Sequence, residues 1–105
     1  MKLRIRGDSL RIRVAADELE RLRTDGRLEE RMRLGPERAL AYRLRIDAAA
    51  QRLAVELSGA VLEVRLPQAS AHAWCASEQV SLSDTLPNGA GGLKVVVEKD
   101  FDSSD

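Results

Sequence analysis

The chain is short of most things that narrow a function quickly. It holds one cysteine, Cys75, so no disulfide can form within it and a reducing compartment is expected. Tyr42, Trp74 and Phe101 are its only aromatic residues. A core must therefore be built from Leu, Val, Ile and Ala, and stacking platforms for nucleic-acid bases are scarce. Net charge is absent too: 17 Lys and Arg balance 17 Asp and Glu, which argues against a general nucleic-acid binder. No apolar run is long enough for a membrane span, and the opening residues lack the basic-then-apolar order of a signal peptide. A cytoplasmic protein with no membrane partner is expected. At 105 residues the chain is one domain, read as 1–101 with 102–105 as a frayed tail.

Present instead is charge in a pattern. Residues 1–45 hold 13 Lys and Arg against 8 Asp and Glu, a balance of +5, and residues 46–105 hold 4 against 9, a balance of −5. The halves are electrostatic complements. The positive side concentrates in Lys2–Val14, KLRIRGDSLRIRV, where two alternating runs flank Gly7-Asp8. A two-residue loop of that composition favours a primed hairpin turn. The register follows: Ile5 faces Leu10, Arg4 faces Arg11, Leu3 faces Ile12 and Lys2 faces Arg13. One face is apolar, and the other carries Lys2, Arg4, Arg6, Arg11 and Arg13. Like charges placed opposite each other cost several tenths of a kcal/mol per pair, so this face needs anions beside it.

The rest of the chain alternates in the same way. Ala15–Asp25 reads as a short helix, acidic at its start and closed by Gly26. Arg27–Leu34 and Arg38–Asp47 read as strands around a Gly35-Pro36-Glu37 turn, with Glu30 interrupting the apolar side. Arg52–Ser58 and Val61–Leu66 form a second hairpin at Gly59-Ala60. Pro67 opens a short helix through about Cys75. Val80 and Leu82 mark a brief strand, 84–92 is a loop, and Leu93–Phe101 is a last strand with Phe101 inward.

The order strand-strand-helix-strand-strand thus occurs twice. A slide of 52 positions places Val55 on Leu3, Gly59 on Gly7, Leu62 on Leu10 and Val64 on Ile12. It also lays Glu56 on Arg4 and Glu63 on Arg11, as in a ββαββ duplication with charges exchanged. Eight strands present more apolar face than two short helices cover. The expected fold is therefore α+β: a curved, mainly antiparallel sheet of about eight strands, bending toward a barrel, with two short helices.

Several segments together resemble a family of small bacterial proteins of unknown function. They are M-K-L-R-I-R-G-D-S-L-R-I-R at the start, Ala41-Tyr42-Arg43-Leu44, Pro67 followed by Trp74, and V-E-K-D-F at 97–101. The resemblance spans nearly the whole chain. Family members more often carry Asn at Asp8, and they continue after Phe101 with Cys-Leu where this chain has Asp102-Ser103. Any role of that terminal thiol does not carry over, and the resemblance implies no reaction.

Three motifs suggest chemistry and are better explained by structure. Gly7-Asp8-Ser9-Leu10 spells the opening block of the GDSL esterases, but Ala69 stands three residues before the only histidine, His72, where those enzymes need an acid. His72 and Cys75 share a helix face, yet no second Cys/His pair completes a zinc site. Glu98 and Asp100 share a strand face and, with Glu56 and Glu63, could hold Mg²⁺ beside the arginines. The E-x-E-x-K opening of triphosphate-cleaving tunnel enzymes is missing. No catalytic residue and no cofactor is assigned.

The cationic face remains. As a site, Arg4, Arg11, Arg13 and Arg31 would grip phosphate or carboxylate. As structure, they would be neutralised by Glu29, Glu56, Glu63, Glu98 and Asp100 in a cross-strand lattice of weak pairs. The charge balance favours the lattice. The first expectation is then a non-catalytic interaction or accessory protein, with a protein partner or a second copy at its charged face or an edge strand. The second is an anion- or phosphate-binding protein or enzyme. Arginines paired throughout favour the first, and unpaired arginines around a hollow favour the second.

Overall fold

The structure, a computed structural model, describes residues 1–101; the tail expected at 102–105 lies outside them. The opening hairpin forms as β1 (Lys2–Ile5) and β2 (Ser9–Val14), with Lys2 opposite Arg13, Leu3 opposite Ile12, Arg4 opposite Arg11 and Ile5 opposite Leu10. Gly7 has φ +54° while no non-glycine residue among the described ones has positive φ, the signature of a type II′ turn. Helix α1 (Ala16–Asp25) begins without a side-chain cap at Ala15. Glu18 supplies the missing acceptor, its Oε1 taking the Ala15 N–H at 3.0 Å, which is one half of a capping box. Gly26, left-handed at φ +79°, ends the helix by donating its N–H to the Leu22 carbonyl at 2.8 Å.

The long hairpin β3 (Arg27–Gly35) and β4 (Arg38–Asp47) follows, then β5 (Ala54–Ser58) and β6 (Val61–Pro67) around Gly59, which repeats the Gly7 conformation at φ +58°. Helix α2 (Gln68–Ala76) starts after Pro67. β7 (Ser81–Leu86) runs further than Val80 and Leu82 alone suggest, because it pairs antiparallel along β8 (Leu93–Lys99) as far as Leu86 opposite Leu93.

The eight strands form two sheets of four, and no barrel closes. One, sheet A, has the order β1-β2-β8-β7; the other, sheet B, has β3-β4-β6-β5. Each is two antiparallel hairpins joined by a central parallel pair, β2 with β8 and β4 with β6. Exchanging the halves of the chain turns β1-β2-β8-β7 into β5-β6-β4-β3, which is sheet B read backwards. The repeat in the sequence is thus a twofold repeat of topology. Each half contributes one hairpin to each sheet, rather than both halves sharing one sheet.

One apolar core joins the two inner faces. Leu10, Ile12, Val14, Val95 and Val97 of sheet A meet Leu28, Leu44, Val64 and Leu66 of sheet B, with Leu22 of α1 and Ala71 and Trp74 of α2. Trp74 is fully buried, and its indole N–H donates to the Val80 carbonyl at 2.9 Å, so its one polar atom is satisfied. Phe101 does not join this core. β8 stops at Lys99, the Asp100 N–H bonds the Val14 carbonyl, and Phe101 stands 78% exposed; beyond the strand, the alternation that predicted its inward direction no longer applies. Ile5, Met32, Leu34 and Leu57 also remain largely exposed. They lie near the hairpin tips, which extend past the packed layer. Among the described residues no helix is long and apolar enough to cross a membrane.

Candidate functional site

The outer face of sheet A is assembled by register. β1 and β2 place Lys2 beside Arg13 and Arg4 beside Arg11. The parallel pairing of β2 with β8 adds Lys94 beside Ser9, Val96 beside Arg11 and Glu98 beside Arg13. Six cations, with Arg6 at the end of β1, therefore share a face with one carboxylate of β8. That carboxylate is used twice: Glu98 Oε1 accepts from Arg11 Nη1 at 2.6 Å and from Arg13 Nε at 3.0 Å. The Arg11 hydrogen bond outweighs partial burial and holds the Glu98 carboxyl below its ordinary range, with Arg13 adding to the effect. Lys2 Nζ reaches Asp100 at 3.1 Å.

Arg4 and Arg6 have no carboxylate partner among the described residues. With Ser9, Arg11 and Arg13 they line a concavity of about 390 Å³. Arginine forks around such a hollow can take a tetrahedral or planar oxyanion through paired N–H donors, and the Ser9 hydroxyl supplies a further donor.

Sheet B answers the same problem differently. Arg43 donates to Glu29 at 2.8 Å and to Glu63 at 3.0 Å. Arg45 grips Glu63 with two bonds at 3.2 Å. Arg65 lies 3.6 Å from Glu56 and 3.7 Å from Glu63. The Arg45 hydrogen bond, opposed by burial and helped by Arg43, lowers the Glu63 carboxyl pKa. Arg31 sits on this sheet, 3.9 Å from Glu29. Arg27 and Arg33 of β3 have no carboxylate within 4.0 Å among the described residues, but they stand apart along an edge strand and do not share a hollow.

The residues singled out from the sequence are therefore divided. The structure brings together Arg4, Arg11, Arg13, Glu98 and Asp100. It places Arg31, Glu56 and Glu63 in the lattice of sheet B. The four carboxylates do not converge on a common point, and no group of three metal-ligating side chains occurs among the described residues. Arg6 and Ser9 were missing from the candidate site, although the hairpin register already sets them side by side. A second polar cluster lies on the inner side of β3: Glu30 accepts from the Tyr42 hydroxyl at 2.9 Å and from the Met1 amino group at 3.3 Å, and Glu18 also binds that amine. Burial first, and Glu30 second, push the Tyr42 phenol up to about 12. This is the structural use of the acid that interrupted an apolar face.

No curated protein and no solved structure matches the chain. A family match covers residues 1–105 in full. The chain belongs to DUF7009, a family of unknown function.

Proposed function

We propose that the protein binds a ligand carrying several phosphate or carboxylate groups on the outer face of sheet A. One observation carries this reading: Arg4 and Arg6, unpaired with acids among the described residues, line the same hollow as Arg11 and Arg13. Glu98 holds the latter two in place while leaving other donors of each guanidinium free. Arginine stays protonated and gives no proton at neutral pH, so the face supports recognition better than bond-breaking. A cytoplasmic setting suits the lone cysteine. The accessory-protein reading then becomes a question of what presents the anion, a small molecule or an acidic segment of a partner.

Calorimetric titration with inorganic phosphate and with tripolyphosphate tests the site. Tripolyphosphate is expected to bind the more tightly and to weaken steeply with added salt. Arg4→Ala and Arg6→Ala should each weaken it by about tenfold, or 1.4 kcal/mol. Absence of binding to either anion at low salt removes the reading.

A further inference from the structure

Strand β3 is the longest free edge in the fold. It spans nine residues, against four for β1, six for β7 and five for β5, the other edge strands. Among the described residues it pairs only with β4. The Gly26 carbonyl takes the Ile46 N–H at 2.8 Å, so by antiparallel alternation Leu28, Glu30 and Met32 direct their backbone groups toward β4, up to the register shift after Arg33. Arg27, Glu29, Arg31 and Arg33 direct theirs outward. Edges are blunted by proline, brevity, an added cover, charge or a bulge; Arg27–Gly35 contains no proline and is not short, its one register shift lies after Arg33, and residues 27–33 pair regularly with β4.

The side chains of this edge are complementary to themselves. On the outer face Glu29 is followed by Arg31 and Arg33, and Arg33 has no carboxylate of its own among the described residues. On the inner face Leu28 is buried, whereas Met32 is 50% and Leu34 is 63% exposed. When an identical strand runs antiparallel with the twofold axis at Arg31, Glu29 faces Arg33 of the second copy, and Arg33 faces its Glu29. Met32 then lies beside Glu30 of the second copy, and Leu34, at the register shift that follows Arg33, comes next to the Leu28 end of that strand. Each copy gains cover for the two side chains that its own fold leaves in water. Arg31 meets Arg31, with a Glu29 diagonal to each.

We propose that the free edge of β3 pairs with β3 of a second copy of this chain, continuing sheet B as β5-β6-β4-β3 against β3-β4-β6-β5. About six backbone hydrogen bonds, two from each facing pair among residues 29, 31 and 33, join the copies. Outward exposure of those groups makes the contact one of strand addition. The cationic hollow lies on the other sheet and stays open in the dimer, so the two sites are independent.

Sedimentation velocity on the full chain over a concentration series tests this directly. The wild-type chain should shift from one to two chain masses as concentration rises. Arg31→Pro removes an outward N–H without touching the β4 ladder, a placement that edge strands tolerate. It should sediment at one chain mass with an unchanged far-ultraviolet spectrum. If that variant unfolds, Leu34→Lys at an exposed position decides, and it too must return the chain to one mass. A wild-type chain that stays at one mass throughout overturns the proposal, as does a twofold mass that survives in a folded Arg31→Pro or Leu34→Lys chain.

Discussion

The two sheets are built alike and charged differently, and position-by-position comparison shows what the difference does. In sheet B the like-charged cross-strand pair Glu56 and Glu63 is answered by Arg43, Arg45 and Arg65. The matching pair in sheet A is Arg4 and Arg11, and only Arg11 finds an acid. The registers explain why. Glu98 stands opposite Arg13 as Arg45 stands opposite Arg65, and Val96 stands opposite Arg11 as Arg43 stands opposite Glu63. Sheet A repeats the ion pair of sheet B with the signs reversed, but an apolar residue fills the place of the second partner. One face closes into a lattice. The other keeps unsatisfied donors around a hollow.

The largest expected effect sharpens the similarity rather than the difference. Leu44 and Val97 occupy matching positions on the inner faces and are both fully buried. Leu44→Ala should cost about 2–5 kcal/mol and Val97→Ala about 1–3 kcal/mol in urea unfolding, each in a single transition. Two transitions would show that the sheets do not share one core. Next comes the lattice. Glu63→Gln leaves Arg43, Arg45 and Arg65 weakly compensated and should cost about 1–3 kcal/mol. Glu98→Gln serves only two arginines and should cost about 1 kcal/mol; equal losses would erase the contrast.

Acid titration probes both faces together. Glu63 and Glu98 have folded pKa values below their ordinary ones. Their contribution to stability is therefore complete above the unfolded carboxyl value of about 4.3 and is lost as pH falls through the lower folded values. Chemical melts below pH 5 should show this fall, and its slope should lessen in Glu63→Gln. The smallest effect is the most telling. Arg4→Glu removes a like-charge pairing with Arg11 and should leave stability unchanged or raise it by a few tenths of a kcal/mol.

Local features of this fold were legible and distant ones were not. The alternation around Gly7-Asp8 fixed the register of β1 and β2, because side-chain period and turn length leave one solution. The same logic served β5 and β6 and the repeat by 52. Period two says which face a residue takes, however, and not which strand lies beside it. The parallel joins, such as Leu10 opposite Val95, link strands far apart in the chain, and no local pattern announces them. Charge complementarity alone placed Glu98 and Asp100 near the opening hairpin, and they lie there. Glu56 and Glu63 were expected there too, yet their hairpin lies beside β4 in the other sheet. Arg31 went with them, carried into sheet B by β3. Part of the positive hairpin is neutralised from the far end of the chain, and the part that is not, Arg4 and Arg6, forms the candidate site.

The central claim is that these two arginines are kept for a ligand and not for the fold. Melting temperatures of the wild-type chain and of an Arg4→Glu/Arg6→Glu variant, each with and without tripolyphosphate at low salt, test it most directly. The wild-type melting temperature should climb with tripolyphosphate concentration, and the variant should be at least as stable and should not respond. A variant that loses stability without ligand, or one that still responds to tripolyphosphate, contradicts it.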